Sequence, residues 1–239
     1  MSYSYNDLSS LKKSWLAYHS NIPRRFWGWE PSDIEKDLGE FDPRITTWIS
    51  DALAGEIIMK PGALGTTGVG LLFDGKPGRG KTTHAVITLT EFVRRLPEDA
   101  QELSRIFRAK PEDVTSKFRP VYYLTWVELL LRKKALINCP KEDRELLFEE
   151  MEGFHGRSKH DHLNVRILFL DDLGKEYGTK YDDYSFDEVV RTRYDRGLPT
   201  IITTNVAQED WDKQYSEAMG SFSHEAFQRI TLDGKDLRR

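Results

Sequence analysis

Four apolar runs stand out along the chain, at residues 69–73, 120–125, 165–172 and 198–205. Each is short and nearly continuous rather than alternating, the pattern of a strand buried on both faces of a parallel sheet. The segments between them carry apolar residues at helical spacing. Leu8, Leu11, Trp15 and Tyr18 predict an amphipathic helix over 6–19. SNIPRRFWGWEPSD (20–33) breaks it, a helix follows over about 43–54, and KPGALGTTG (60–68) is a loop. Further helices are predicted at 81–95, 126–136, 142–152, 186–195, 208–219 and 223–230, with a last short strand and tail over 231–239. Strands alternating with helices specify an α/β fold, a parallel sheet between helical layers.

Composition narrows the class. The 239 residues, 38% hydrophobic and 31% charged, suit a folded domain with short extensions. Thirty-five basic against 39 acidic residues give a net charge of −4, which argues against coating nucleic acid by bulk charge but permits a local basic patch. The single cysteine, Cys139, excludes an intrachain disulfide and a cysteine zinc cluster. His155, His160 and His162 match no metal-ligand spacing. The polar N-terminus has no signal-peptide core, and no run approaches a membrane span, so no membrane role and a cytoplasmic location are expected.

The chemistry begins at Gly75-Lys76-Pro77-Gly78-Arg79-Gly80-Lys81-Thr82, followed by Thr83. It satisfies G-x-x-x-x-G-K-[ST], with a strand before it and a helix after it. Glycines let backbone N–H groups turn inward around phosphate oxygens, and the positive end of the helix faces the same anion. Lys81 would neutralise the terminal phosphates and the Thr82 hydroxyl would ligate Mg²⁺. RILFLDDLG (166–174) ends a buried strand in Asp171 and Asp172. Asp171 is assigned to the Mg²⁺ shell and Asp172 to polarising the attacking water. TIITTN (200–205) brings Asn205 near the terminal phosphate if its strand lies between the other two. Arg191, Arg193, Arg196, Arg229, Arg238 and Arg239 are open candidates for a cation reaching a neighbour's phosphate, or for ordinary solvated charge.

In this order the elements resemble an AAA+ ATPase. More narrowly, the chain resembles the DnaC/DnaI helicase loaders and the IstB-like helpers of DNA transposases over about residues 20–239. NIPRRF (21–26) and RYDRGLPTIITTN (193–205) carry the narrower resemblance. It implies a three-layer P-loop sandwich around a five-stranded parallel sheet of order 5-1-4-3-2, with no separate helical lid. It also implies ATP and Mg²⁺ as ligands and slow, regulatory hydrolysis. Asn205 matches a phosphate sensor, Arg229 a finger acting in trans and Arg238 a second sensing arginine. Residues 1–20 would be a short N-terminal helix, 21–60 a linker and helix, and 61–239 the ATPase core. The N-terminal helix either docks a partner or packs on its own core. The implied activity is loading a replicative DNA helicase onto single-stranded DNA, in a self-associated ring or spiral. The short N-terminal region suits a phage-encoded loader. Lys175, Tyr177, Lys180, Tyr181 and Tyr184, after the acidic strand, are candidates for contacting single-stranded DNA by stacking and charge.

Overall fold

The structure, a computed structural model, describes residues 7–38, 41–57, 68–107, 109–175 and 179–233. Strands β1 (Gly70–Asp74), β2 (Val121–Thr125), β3 (Ile167–Leu173), β4 (Thr200–Thr204) and β5 (Phe227–Thr231) form one parallel sheet in the order β2-β3-β4-β1-β5. This is the expected order 5-1-4-3-2 read from the other edge.

Alternation along the strands builds two cores. Leu71, Phe73, Phe169, Ile201 and Ile230 point to one face. It is covered by α3 (Pro43–Leu53), α4 (Lys81–Arg95), α5 (Ala100–Phe107) and the N-terminal helix α1 (Ser10–Ser14), which continues in wider turns over Trp15–His19. Leu72, Leu124, Leu168, Leu170 and Ile202 point to the other face. There they meet α6 (Trp126–Asn138), α7 (Lys141–His155), α8 (Lys180–Asp195), α9 (Trp211–Gln214) and α10 (Glu217–Ala226). A further helix, α2 (Pro31–Leu38), begins at the end of the 20–33 break and runs beyond it, where no element is expected.

The N-terminal helix spends its apolar face on its own core. Trp15 is fully buried, its indole N–H donates to the Thr115 carbonyl at 2.9 Å, and Lys12 Nζ donates to the Arg94 carbonyl at 2.9 Å. Tyr18 stays 81% exposed. The following residues seal the open edge of the sheet: Tyr123 N–H donates to the Ser20 carbonyl at 2.7 Å, and Asn21 Nδ2 donates to the Tyr123 carbonyl at 2.9 Å. A covered edge strand is protected from pairing with other chains.

Boundaries differ from expectation in two regions. Near the C-terminus, where the spacing predicts helices over 208–219 and 223–230 and a strand from 231, α9 ends at Gln214, α10 runs over Glu217–Ala226 and β5 begins at Phe227. α8 begins at Lys180 rather than 186, fixed by a capping box: Thr179 Oγ1 accepts from Asp182 N–H, and Asp182 Oδ2 accepts from Thr179 N–H, both at 3.2 Å. Thr179→Ala is expected to cost about 1 kcal/mol. It should lower the thermal midpoint by about 2–4 °C, measurable by circular dichroism.

Candidate nucleotide-binding site

All five strands end on one edge of the sheet, and the connections leaving that edge carry the candidate residues. β1 runs into the loop 75–80, which becomes α4 at Lys81. Gly78 and Gly80 have φ of 82° and 75°, a region that residues with a Cβ avoid. The 15-residue α4 directs its positive end at the loop. Lys81 is 7% exposed, and its Nζ donates to the Gly75 carbonyl at 2.8 Å, the Lys76 carbonyl at 2.9 Å and Asn205 Oδ1 at 2.8 Å. β4 does lie between β1 and β3, and that placement brings Asn205 to the lysine.

Parity places Asp171. Ile167, Phe169 and Asp171 alternate onto the face that packs against α4. Asp171 is 3% exposed. Its Oδ1 accepts from Thr82 Oγ1 at 2.8 Å and Thr203 Oγ1 at 2.5 Å, and its Oδ2 accepts from the Tyr123 hydroxyl at 2.9 Å. Burial pushes the carboxyl above the usual range, with the hydroxyl donors Thr203, Thr82 and Tyr123 opposing the rise and the neighbouring Asp172 charge adding to it. Burial, then the Asp171 charge, likewise pushes the Tyr123 phenol up.

Asp172 breaks the parity. Its φ is 59°, and the pairing of β3 with β4 shifts between Leu170 and Leu173. Strict alternation would aim Asp172 at the opposite face; the bulge turns it toward the loop instead. A left-handed non-glycine residue costs about 1 kcal/mol or more. Asp172 N–H donates to Thr203 Oγ1 at 3.0 Å, and Oδ2 accepts from Lys175 Nζ at 2.6 Å. These groups line a cavity of about 480 Å³, formed by residues 77–83, Asp172, Lys175 and Asn205. That volume is in the ordinary range for a small-molecule site.

The residues fit a magnesium nucleotide. Loop N–H groups, a helix N-terminus and a lysine suit phosphate oxygens. The Thr82–Asp171 hydroxyl–carboxylate pair is an oxygen donor set suited to Mg²⁺. Sequence reasoning missed four participants. Arg25 and Phe26 line the cavity from the NIPRRF segment, where a basic pair beside an aromatic was the available signal. Tyr123 and Thr203 hold the Asp171 carboxylate, and nothing short of the strand order identifies them.

Other candidates lie elsewhere. Arg229 sits in β5 rather than on a helix, and its guanidinium is engaged within its own chain: Nε donates to Asp74 Oδ2 at 2.7 Å, and Nη1 pairs with Glu209. Arg193, weighed as surface charge, is fully buried. Lys180, Tyr181 and Tyr184 stand on the first turns of α8, not in a loop, because the capping box starts that helix early; Tyr184 is 69% exposed and Tyr181 37%. Lys175 belongs to the cavity. Tyr177, Arg238 and Arg239 lie outside the described residues. Among the described residues no cluster suited to a metal ion forms from histidine, cysteine and acidic side chains, and no helix is long and apolar enough to cross a membrane.

Sheet order, glycine loop and acidic strand end together define a P-loop α/β fold. Within that class the chain shares its fold with solved structures of a DnaC helicase loader and of DnaI. The DnaC structure superposes with a TM-score of 0.55 at 22% identity, covering 88% of this chain and 100% of that one. DnaI gives 0.57 at 16% identity, covering 90% and 96%. The replication initiator DnaA, bound to AMPPCP and single-stranded DNA, gives 0.54 at 14% identity, covering 90% of this chain and 52% of that one. No family model and no curated protein sequence matches the chain.

Proposed function

We propose that this protein is an ATP-dependent loader of a replicative DNA helicase onto single-stranded DNA, with nucleotide as its assembly and release switch. The observation that carries the reading is the junction of Lys81, Asn205, Thr82 and Asp171 at one sheet edge, in a fold shared with a DnaC helicase loader and DnaI over most of the chain. Residues 75–83 would cradle the phosphates of ATP. Thr82 and Asp171 would hold Mg²⁺, which when bound neutralises developing phosphate charge. Lys81 and Asn205, already in contact, would engage the terminal phosphate together. Asp172 would orient the attacking water, and its ion pair with Lys175 restrains it, which accords with slow, regulatory hydrolysis.

Self-association would let a neighbour read the bound nucleotide. Arg229 could serve that purpose only by leaving both Asp74 and Glu209. Single-stranded DNA contact is assigned to the exposed face at the start of α8, where Lys180 stands beside Tyr181 and Tyr184. The test is a helicase-loading assay on single-stranded DNA, with the helicase recovered by affinity capture from the native host. Loading should require ATP and vanish in Lys81→Ala. Loading that survives the substitution overturns the proposal, and capture of a transposase in place of a helicase would turn it to the transposition-helper alternative.

A further inference from the structure

We propose that Arg229 is a positioning residue of its own subunit: through Asp74 and Glu209 it fixes the start of the phosphate loop against the connection that carries Asn205, and so sets the site's preference for a triphosphate. The inference rests on the nucleotide-binding reading of that loop.

Register gives the geometry. β5 pairs with β1 so that Arg229 lies opposite Leu72 and Thr231 opposite Asp74. Leu72 and Asp74 share the face turned away from α4, and so do Phe227 and Arg229. From there the guanidinium reaches two residues along to Asp74, with Nε and Nη2 2.7 and 2.6 Å from Oδ2. Asp74 is the last residue of β1, immediately before Gly75, and is 1% exposed. Its other oxygen, Oδ1, is buried with no hydrogen-bond partner among the described residues. Arg229 is therefore the cation that offsets a buried carboxylate, and withdrawing it leaves that charge uncompensated.

The residue that follows β5 grips the same point. Leu232 N–H donates to the Asp74 carbonyl at 2.9 Å. Gly75 has φ of 138°, and a Cβ there would stand 2.4 Å from the Leu232 carbonyl oxygen, so the loop starts in contact with the end of β5. Arg44 of α3 donates to the Arg229 carbonyl at 2.9 Å. On its outer side the guanidinium holds Glu209, in the turn four residues after Asn205.

These contacts close a circuit. Asp74 leads through Gly75 and Lys76 to Lys81, whose Nζ holds both carbonyls and Asn205; the Asn205 connection leads to Glu209, and Arg229 returns from Glu209 to Asp74. Lys81 and Asn205 form the part of the circuit that a terminal phosphate would touch. Arg229 closes it through Asp74, from the strand beside β1 and on the face turned away from α4. An arginine so placed acts on the nucleotide through the loop, not by contact.

The test measures mant-ATP and mant-ADP binding to the full chain, diluted until light scattering shows a monomer. Arg229→Ala and Asp74→Asn should each weaken mant-ATP binding about tenfold while changing mant-ADP binding much less. Arg229→Lys should retain part of the preference, and Glu209→Gln should lose part of it. A purely stabilising arginine would lower the thermal midpoint of the variants and leave the ATP-to-ADP ratio unchanged, which overturns the proposal. Wild-type binding of both nucleotides by monomeric Arg229→Ala overturns it too, as does recovery of hydrolysis when Arg229→Ala and Lys81→Ala subunits are mixed, the signature of a finger acting in trans. Failure of the wild-type chain to bind either nucleotide would instead remove the nucleotide-binding reading, and this inference with it.

Discussion

Arg193→Ala is expected to destabilise the fold by about 3–5 kcal/mol and to lower the thermal midpoint by roughly 10 °C or more. Arg193 lies on α8 with none of its surface exposed. A guanidinium has five N–H donors, and here all are used. Nε donates to Thr200 Oγ1, Nη1 to the Phe154 and Val165 carbonyls, and Nη2 to the Arg166 and Pro199 carbonyls, at 2.6 to 3.1 Å. Among the described residues no carboxylate takes part. One side chain thus ties the end of α7 and the starts of β3 and β4 to α8. Burial pulls its pKa down to about 9, still well above neutral, so the charge persists at pH 7. Truncation takes a donor from four carbonyls and a hydroxyl in a space closed to solvent; the Pro199 carbonyl keeps the Leu168 N–H at 3.2 Å, while a buried acceptor left with no donor costs about 1–3 kcal/mol before relaxation. Arg193→Lys should recover only part of the loss, because an ammonium has three donors on one point. The exposed Arg196→Ala should change stability by no more than about 0.5 kcal/mol. Urea unfolding of the three variants checks the order, and an Arg193→Ala midpoint within the spread of Arg196→Ala refutes the account.

Arg193 also shows where sequence reading stops. RYDRGLPTIITTN was legible as a family signature, and its strand as β4, but not the reason for the arginine. A charged residue in a polar helix looks solvated until the three-dimensional path shows carbonyls converging on it from segments about 30 and 40 residues away. The sheet was more accessible. Continuous apolar runs fixed four strands, and the resemblance supplied their order. The fifth strand was expected from 231 but begins at Phe227, because Phe227 and Ile230 are three apart, a helical interval, and because an edge strand paired with β1 tolerates Gln228 and Arg229 between them. At the site, Asp171 was legible because strand parity continues from Ile167 and Phe169 straight to it. The turn of Asp172 into the cavity was not, since it depends on a bulge that no periodicity announces. Lys175 carried a DNA assignment for the same reason: only the bulge reveals that its partner is Asp172.

Asp171→Asn should separate activity from stability. If Asp171 holds Mg²⁺ with Thr82, the substitution removes the anionic ligand and hydrolysis of ATP should fall about 100-fold or more, the scale of losing several kcal/mol of charge stabilisation. Stability should move the other way. In the folded protein burial raises the Asp171 carboxyl above its ordinary range, so the native state holds that proton more tightly than the unfolded chain does. The stability it contributes is present in acid and is lost as pH rises from the ordinary carboxylate pKa through the raised one. Above the raised pKa the wild type therefore carries the cost of an ionised buried carboxylate. Asparagine has no such cost and preserves the contacts: its carbonyl accepts from Thr82 and Thr203, and its amide donates to the Tyr123 oxygen in place of accepting from it. The expected result is a melting temperature at pH 7.5 equal to or above wild type, with less dependence on pH above the ordinary carboxylate pKa of about 4. Thermal melts across that range, paired with phosphate-release assays, decide it. A variant that loses activity and stability together would mean that Asp171 serves chiefly to hold Thr82, Thr203 and Tyr123 in place, and would remove the main argument for a metal at this position.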